Sequence, residues 1–310
     1  MRDAASSPAV LIGAGGKGDP LLLRNPIVAA SGTFVAGTEL HGAAAAEFLG
    51  AVVSPAIGRR SRPGGSGWHI AEAPAGLLLS GDYPMIGYRH VLDRLGRMWA
   101  HWPMPVIANV PVDDIDESLE TVIALADEAG VAAVELDCTR LGDAITSMQA
   151  ARALHTLTAR HAAAWPRPLL IKLRPVLPGC LTLARAAAEG GAAAISIGGG
   201  FPARAGSISG AGAEHPARCV LVGPATMPIA LRTVAIVAAA LAIPVFGSGG
   251  VTTATDATSF LRAGAVAVQV GSASLRSPSV IFDVTEGLTN AGHGSSIAGI
   301  DATMEMDIGE

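Results

Sequence analysis

Two short runs in the last third of the chain carry the residue types of a phosphate-binding site. Pro244-Val-Phe-Gly-Ser-Gly-Gly-Val251 and Ala267-Val-Gln-Val-Gly-Ser-Ala273 each begin as apolar strand and end in small residues before a helix-like segment. Glycine lets the backbone approach a ligand and take positive φ, so that free N–H groups and a helix N-terminus face an anion. In a (β/α)8 barrel the loops after strands seven and eight do this work. A phosphorylated ligand is therefore expected. Lys172 is the other residue with evident chemistry, because it sits in the apolar run Pro168-Leu-Leu-Ile-Lys-Leu-Arg174. An ammonium in a buried strand is costly without a partner, so it serves either a site or an ion pair.

The elements that must position these residues read as eight parallel strands, at 26–31, 51–55, 105–110, 132–137, 168–174, 193–198, 244–249 and 266–272. They are continuous runs of Val, Ile, Ala and Leu, as expected of strands buried on both faces. Helical patterns fall between most of them, at 39–48, 88–100, 115–129, 141–164, 181–189, 228–241 and 254–263, with a last helix over about 278–291. Eight strand–helix repeats predict a single α/β domain of (β/α)8 barrel type over residues 1–310, with partly ordered tails at about 1–18 and 290–310. Two Gly- and Pro-rich insertions, 56–86 and 199–224, follow strands two and six. Both lie at the C-terminal ends of strands, where barrel sites are built, and loops this long read as lids or binding loops.

Composition narrows the function classes. The net charge is −5 with no basic stripe, so nucleic acid is not an expected partner. Cys138, Cys180 and Cys219 have neither metal-ligand spacing nor a disulfide pattern, which predicts no metal site and fits a reducing cytoplasm. No signal-peptide pattern opens the chain. Every apolar run breaks well short of the roughly 18 residues of a membrane span.

The run Leu23-Arg-Asn-Pro-Ile-Val-Ala-Ala-Ser-Gly-Thr-Phe34 is followed, in order, by Ala73-Pro-Ala-Gly-Leu77, Val106-Ile-Ala-Asn-Val110, Val134-Glu-Leu-Asp137, Ile171-Lys-Leu173, Val222-Gly-Pro-Ala225, Pro228-Ile-Ala-Leu-Arg232, Gly247-Ser-Gly-Gly-Val251 and Val270-Gly-Ser272. This series resembles the class 1 dihydroorotate dehydrogenases, FMN-dependent barrels, over about residues 20–287. The resemblance implies a cofactor site. Ala30, Ser31 and Gly32 would pass beneath the isoalloxazine edge, Asn109 would bond the flavin, and Lys172 would stand near flavin N1 and O2 to stabilise the reduced form. Gly223, Gly249, Gly250, Gly271 and Ser272 would hold the phosphate and ribityl end. It further implies a small-molecule substrate, a homodimer, and electron transfer to fumarate or to an iron–sulfur flavoprotein partner subunit.

The substrate side departs from the family pattern. Pro55 stands where the family has a lysine, Leu79 where it has an asparagine, and Gly198-Gly-Gly200 where strand six carries an asparagine and a hydroxyl. Asp137 and Arg140 occupy the positions of an asparagine and of the cysteine base. Arginine stays protonated in proteins, so Arg140 cannot remove the C5 proton of dihydroorotate. Cys138 lies two residues before that position, and because side chains alternate along a strand it is not expected simply to take over. Asp137 could accept a proton but would repel the orotate carboxylate. Two readings stay open: Asp137 and Arg140 pair with each other, or Arg140 binds an anionic group of a different substrate. Lys172 and Thr139 complete the catalytic candidates, and Asp82 and Tyr83 are further polar residues of the covering loops. Arg59, Arg60 and Arg62 form a basic patch in the first insertion. The expected function is an FMN-dependent oxidoreductase acting on the CH–CH bond of a dihydropyrimidine-like ring. The alternatives are a catalytically impaired flavin-binding homologue or partner subunit, and a flavin-free phosphate-binding isomerase or lyase.

Overall fold

A computed structural model of the chain describes residues 9–13, 18–34, 49–65, 69–81, 83–140, 147–205 and 219–292. Eight parallel strands close into a barrel: β1 (Ile27–Ala29), β2 (Ala51–Gly58), β3 (Val106–Pro111), β4 (Ala133–Asp137), β5 (Leu169–Leu173), β6 (Ala194–Ile197), β7 (Val245–Ser248) and β8 (Ala267–Val270). Each pairs with the next, and β8 pairs back onto β1. These are the eight strands read from the sequence, most trimmed by a residue or two at their ends, while β2 runs on to Gly58 and β3 is shifted by one residue to end at Pro111. A register shift between Val53 and Ala56 marks a bulge in β2 at Ser54 and Pro55. A bulge tolerates a proline because the N–H it lacks is not needed in the ladder there.

The barrel interior is layered by the two-residue period of its strands. At the N-terminal end Val28, Val53, Ile107, Ala133, Leu170, Ala194, Phe246 and Ala267 pack together. Ile12, Leu21 and Leu23 close that end from an antiparallel pair, Val10–Ile12 with Leu21–Leu23. No element was anticipated in this segment, whose strands are only three residues each. One layer further up, the inward positions turn polar: Asn109, Glu135, Lys172, Ser196, Ser248 and Gln269 are all buried. The second core lies between the barrel and its helices.

The helices start where capping chemistry stops competing conformations. Asp114 accepts from the Asp116 and Glu117 N–H groups, both at 2.9 Å, to open helix Ile115–Leu125. Thr253 and Asp256 form a reciprocal capping box for helix Ala254–Arg262. Helix Ser147–Ala164 lacks the first six positions of its expected range, and these, like the helix expected at 39–48, lie outside the described residues.

The two insertions, read from the sequence as lids or binding loops, carry strands. Strands Ile70–Ala73 and Gly76–Ser80 of the first pair with Cys219–Val222 and Phe201–Ala203 of the second in a four-stranded antiparallel sheet. Segments remote in sequence thus build one cap over the C-terminal mouth, and the Ala225 N–H donates to the Ala75 carbonyl at 3.0 Å to tie its base.

Behind the barrel wall, buried His161 of helix Ser147–Ala164 lies with Nδ1 2.8 Å from the Leu157 carbonyl and Nε2 3.1 Å from Ser118 Oγ. Burial holds its pKa below the ordinary imidazole value. The unfolded chain then binds a proton more readily than the fold, so stability is full above about pH 6.5 and declines as pH falls toward the lowered folded value. The thermal unfolding midpoint should drop between about pH 7 and about pH 5.5, and the drop should be smaller in His161→Gln. Parallel declines in the two proteins would remove His161 as the cause.

Candidate active site

The polar layer at the mouth is organised by a buried ion pair. Lys172 of β5 donates from Nζ to Glu135 Oε1 of β4 at 3.1 Å and to Gln269 Oε1 of β8 at 3.3 Å. Gln269 Nε2 returns a bond to Glu135 Oε2 at 2.6 Å, and Asn109 Nδ2 reaches Oε1 at 3.3 Å. Glu135 is fully buried and Lys172 is 6% exposed, so both charges depend on this network. Burial works to raise the Glu135 pKa, but the Lys172 ammonium and the Gln269 bond outweigh it and hold it below the carboxylate range. Burial works to lower Lys172, yet the Glu135 and Asp137 charges keep it above the ordinary lysine value. Both groups are ionised.

Toward β1 and β2 the floor is made of small residues linked by hydrogen bonds. Ser31 Oγ donates to the Ser54 carbonyl at 2.8 Å, and Ser54 Oγ accepts from the Asn109 N–H at 3.0 Å. Gly32 adopts φ +81°, and a Cβ on it would meet nothing within 4 Å among the described residues. Gly271, after β8, approaches Ala30 so closely that a Cβ would lie 3.1 Å from the Ala30 methyl. Ser272 begins the short helix Ser272–Arg276.

The cradle read from the sequence is assembled from three loops. Gly250 has φ +74°, and a Cβ there would lie 2.6 Å from the Gly223 carbonyl oxygen. Thr226 Oγ1 donates to that same carbonyl at 2.8 Å. The Gly249 and Gly250 N–H groups have no acceptor among the described residues. Buried or half-buried N–H groups seldom stay unpaired, so an anion or water suits this position.

On the substrate side the structure separates two residues the sequence left as a potential pair. Asp137 Oδ1 accepts from the Thr139 N–H at 3.0 Å and from Thr139 Oγ1 at 2.6 Å. Arg140 turns outward instead, donating to Asp113 Oδ1 at 3.3 Å and to the Gly81 carbonyl of the first insertion. Its guanidinium stacks 5.0 Å from the Tyr83 ring centroid, with Arg62 at 5.9 Å. Arg62 reaches Asp113 Oδ2 at 3.8 Å, while Arg59 pairs with Glu120 at 2.9 Å. The basic patch is thus largely occupied by acids, and Arg140 fastens the cap to the loops after β3 and β4. Burial, with the Asp137 charge adding, raises the Tyr83 phenol above its ordinary pKa and keeps it protonated. Cys138 faces the outer core, where burial pushes its thiol well up. Thr139 fits beneath the β6 loop because Gly199 lacks a Cβ, which would lie 3.0 Å from Thr139 Cγ2. Asp82 lies outside the described residues.

Glu135 was not anticipated as a site residue. Its signal was the inward phase it shares with Asp137, combined with the need of buried Lys172 for a partner.

A closed barrel with a charged, capped C-terminal mouth and a glycine cradle defines a (β/α)8 protein whose site lies at that face. The chain belongs to the dihydroorotate dehydrogenase family, whose sequence model matches residues 20–291. The "Dihydroorotate dehydrogenase B (NAD(+)), catalytic subunit" of Maridesulfovibrio salexigens is 33% identical over 280 residues, covering 86% of this chain and 90% of that protein. The protein of the same name from Pelobacter propionicus is 31% identical, with the same coverage. A candidate dihydroorotate dehydrogenase A (fumarate) from Solibacter usitatus is 36% identical over 291 residues, covering 86% and 90%.

Removing one partner of the buried pair should strand the other. Lys172→Met is expected to cost about 3–5 kcal/mol in urea unfolding, and Lys172→Met with Glu135→Met to recover most of it. Equal losses in the single and double variants would show that the two side chains are not coupled.

Proposed function

We propose that the chain is an FMN-dependent oxidoreductase of the dihydroorotate dehydrogenase family, acting on the CH–CH bond of a dihydropyrimidine-like ring. The observation that carries this is the juxtaposition of the Lys172–Glu135–Gln269 network with the small-residue floor and the glycine cradle. A bare phosphate site needs only the cradle. The remaining features fit a flavin. Gly32 leaves space where a side chain would block a flat ring, the unpaired Gly249 and Gly250 N–H groups suit a terminal phosphate, and Lys172 offers a buried cation near the floor. When bound, FMN supplies the acceptor for the hydride that leaves the substrate carbon.

The protein residues would do the rest. Lys172 would stabilise negative charge on the reduced ring, with Glu135 and Gln269 fixing its ammonium at the rim. Asn109 would present its amide to the ring edge while bonded to Glu135. The cap sheet would exclude water from the mouth. For dihydroorotate itself the proton acceptor is the weak point. Arg140 stands at the expected base position and is engaged by Asp113 and Gly81. That observation favours, as a second reading, a homologue that keeps FMN but turns over dihydroorotate poorly. The relatives named NAD(+)-type catalytic subunits support a partner subunit as electron acceptor over a membrane quinone.

The purified protein, reconstituted with FMN, should show the absorbance of bound flavin, and Gly250→Val should retain little because its side chain would strike the Gly223 carbonyl. Anaerobic dihydroorotate should bleach the bound flavin very slowly or not at all. Absence of any flavin binding would overturn the proposal, and rapid bleaching would overturn the role assigned to Arg140.

A further inference from the structure

We propose that Asp137 makes the mouth charge-selective: it admits neutral pyrimidine-class rings that donate an N–H to its carboxylate and rejects rings bearing a carboxylate. The inference rests on the flavin reading above and narrows its substrate.

Asp137 ends β4 two residues beyond Glu135, so it belongs to the same inward face one layer nearer the mouth. Its register partner on β5 is Lys172. Both bonds from Thr139 go to Oδ1, which fixes the carboxylate and leaves Oδ2 without a partner among the described residues. The side chain is half-buried, partly shielded from water yet reachable from the mouth. A fixed, half-buried oxygen with an unused lone pair is an acceptor for a ligand donor.

What decides the sign is the state of the nearby cations. Lys172 is held by Glu135 at 3.1 Å, so its charge is already offset. Both terminal nitrogens of Arg140 are engaged, by Asp113 and by the Gly81 carbonyl, and Arg62 leans on the same Asp113. Opposite, the loop after β6 opens with Gly198, Gly199 and Gly200, which bring no side-chain charge to the rim. An incoming carboxylate would therefore meet the Asp137 carboxylate while Lys172, Arg140 and Arg62 are already engaged by other groups. An amide-type ring would meet a complementary pair instead, the Asp137 acceptor and the Tyr83 hydroxyl, which burial first and the Asp137 charge second keep protonated. Like charges brought together at low effective dielectric repel by more than thermal energy, whereas a charge-assisted N–H bond is among the stronger hydrogen bonds.

The test titrates FMN-loaded protein anaerobically with uracil and with orotate, reading the perturbation of flavin absorbance and, in parallel, calorimetry. Uracil is expected to bind about tenfold or more tightly than orotate. Asp137→Asn keeps the Thr139 bonds and removes the charge, so it should shrink or invert that preference while flavin retention stays unchanged. Thr139→Val should blunt the preference in the same direction by releasing Oδ1. Equal or tighter binding of orotate to the unaltered protein, no binding of either ring, or an Asp137→Asn preference identical to that of the parent would each overturn the inference. If no flavin is retained, the functional reading fails, and calorimetry of the flavin-free protein still measures the uracil-to-orotate ratio by the same criteria.

Discussion

The Lys172–Glu135 pair is the constraint around which the mouth of the barrel is arranged. Two full charges buried above an apolar barrel layer can be stable only if each satisfies the other and the remaining valences find donors and acceptors. Gln269 and Asn109 supply these from β8 and β3, so strands on opposite sides of the barrel are cross-linked through one carboxylate. The apolar layer below, sealed by Ile12, Leu21 and Leu23, keeps water from the underside of the pair. The network can then be open on one side only, toward the mouth. A ligand that sits there meets a cation whose position is fixed by its neighbours.

The barrel itself was legible because its signals are local. Strands buried on both faces cannot alternate, and their ends must be small where loops crowd the mouth, so continuous apolar runs ending in Gly or Ser identify themselves. The cap was illegible for the opposite reason. Gly76–Ser80 and Cys219–Val222 pair across nearly half of the chain, and neither strand alone has a pattern that outweighs its Gly- and Pro-rich surroundings. The hairpin that seals the barrel floor failed to stand out because its strands have three residues apiece, below any useful periodicity.

Within the site, legibility divides along the line between backbone and side-chain chemistry. A cradle built from backbone leaves its trace as glycine, because only glycine can take the positive φ of Gly250 against the Gly223 carbonyl. Side-chain partnerships leave no comparable trace. Nothing in the sequence says that Arg140 prefers Asp113 to Asp137, since that choice depends on Thr139 having already claimed Asp137 and on Gly81 being delivered from another loop. Glu135 was readable in principle, because a buried lysine requires an anion and the two-residue period places Glu135 on the inward face.

This division has a consequence for how such a site changes its substrate. The cradle, the floor and the ion pair are interlocked with the barrel: altering any of them strains a loop or strands a charge. Asp137 at the end of β4, and Thr139 and Arg140 just after it, instead have side-chain bonds within this segment, to Asp113 and to the cap. Exchanging a neutral amide for a carboxylate, or a thiol for a guanidinium, at those positions leaves every barrel hydrogen bond intact. On the proposed reading, arginine at the position of the expected base would remove a proton acceptor while fastening the cap. The residues that would hold a cofactor and those that would choose a substrate are thus tied into the structure by separate sets of bonds.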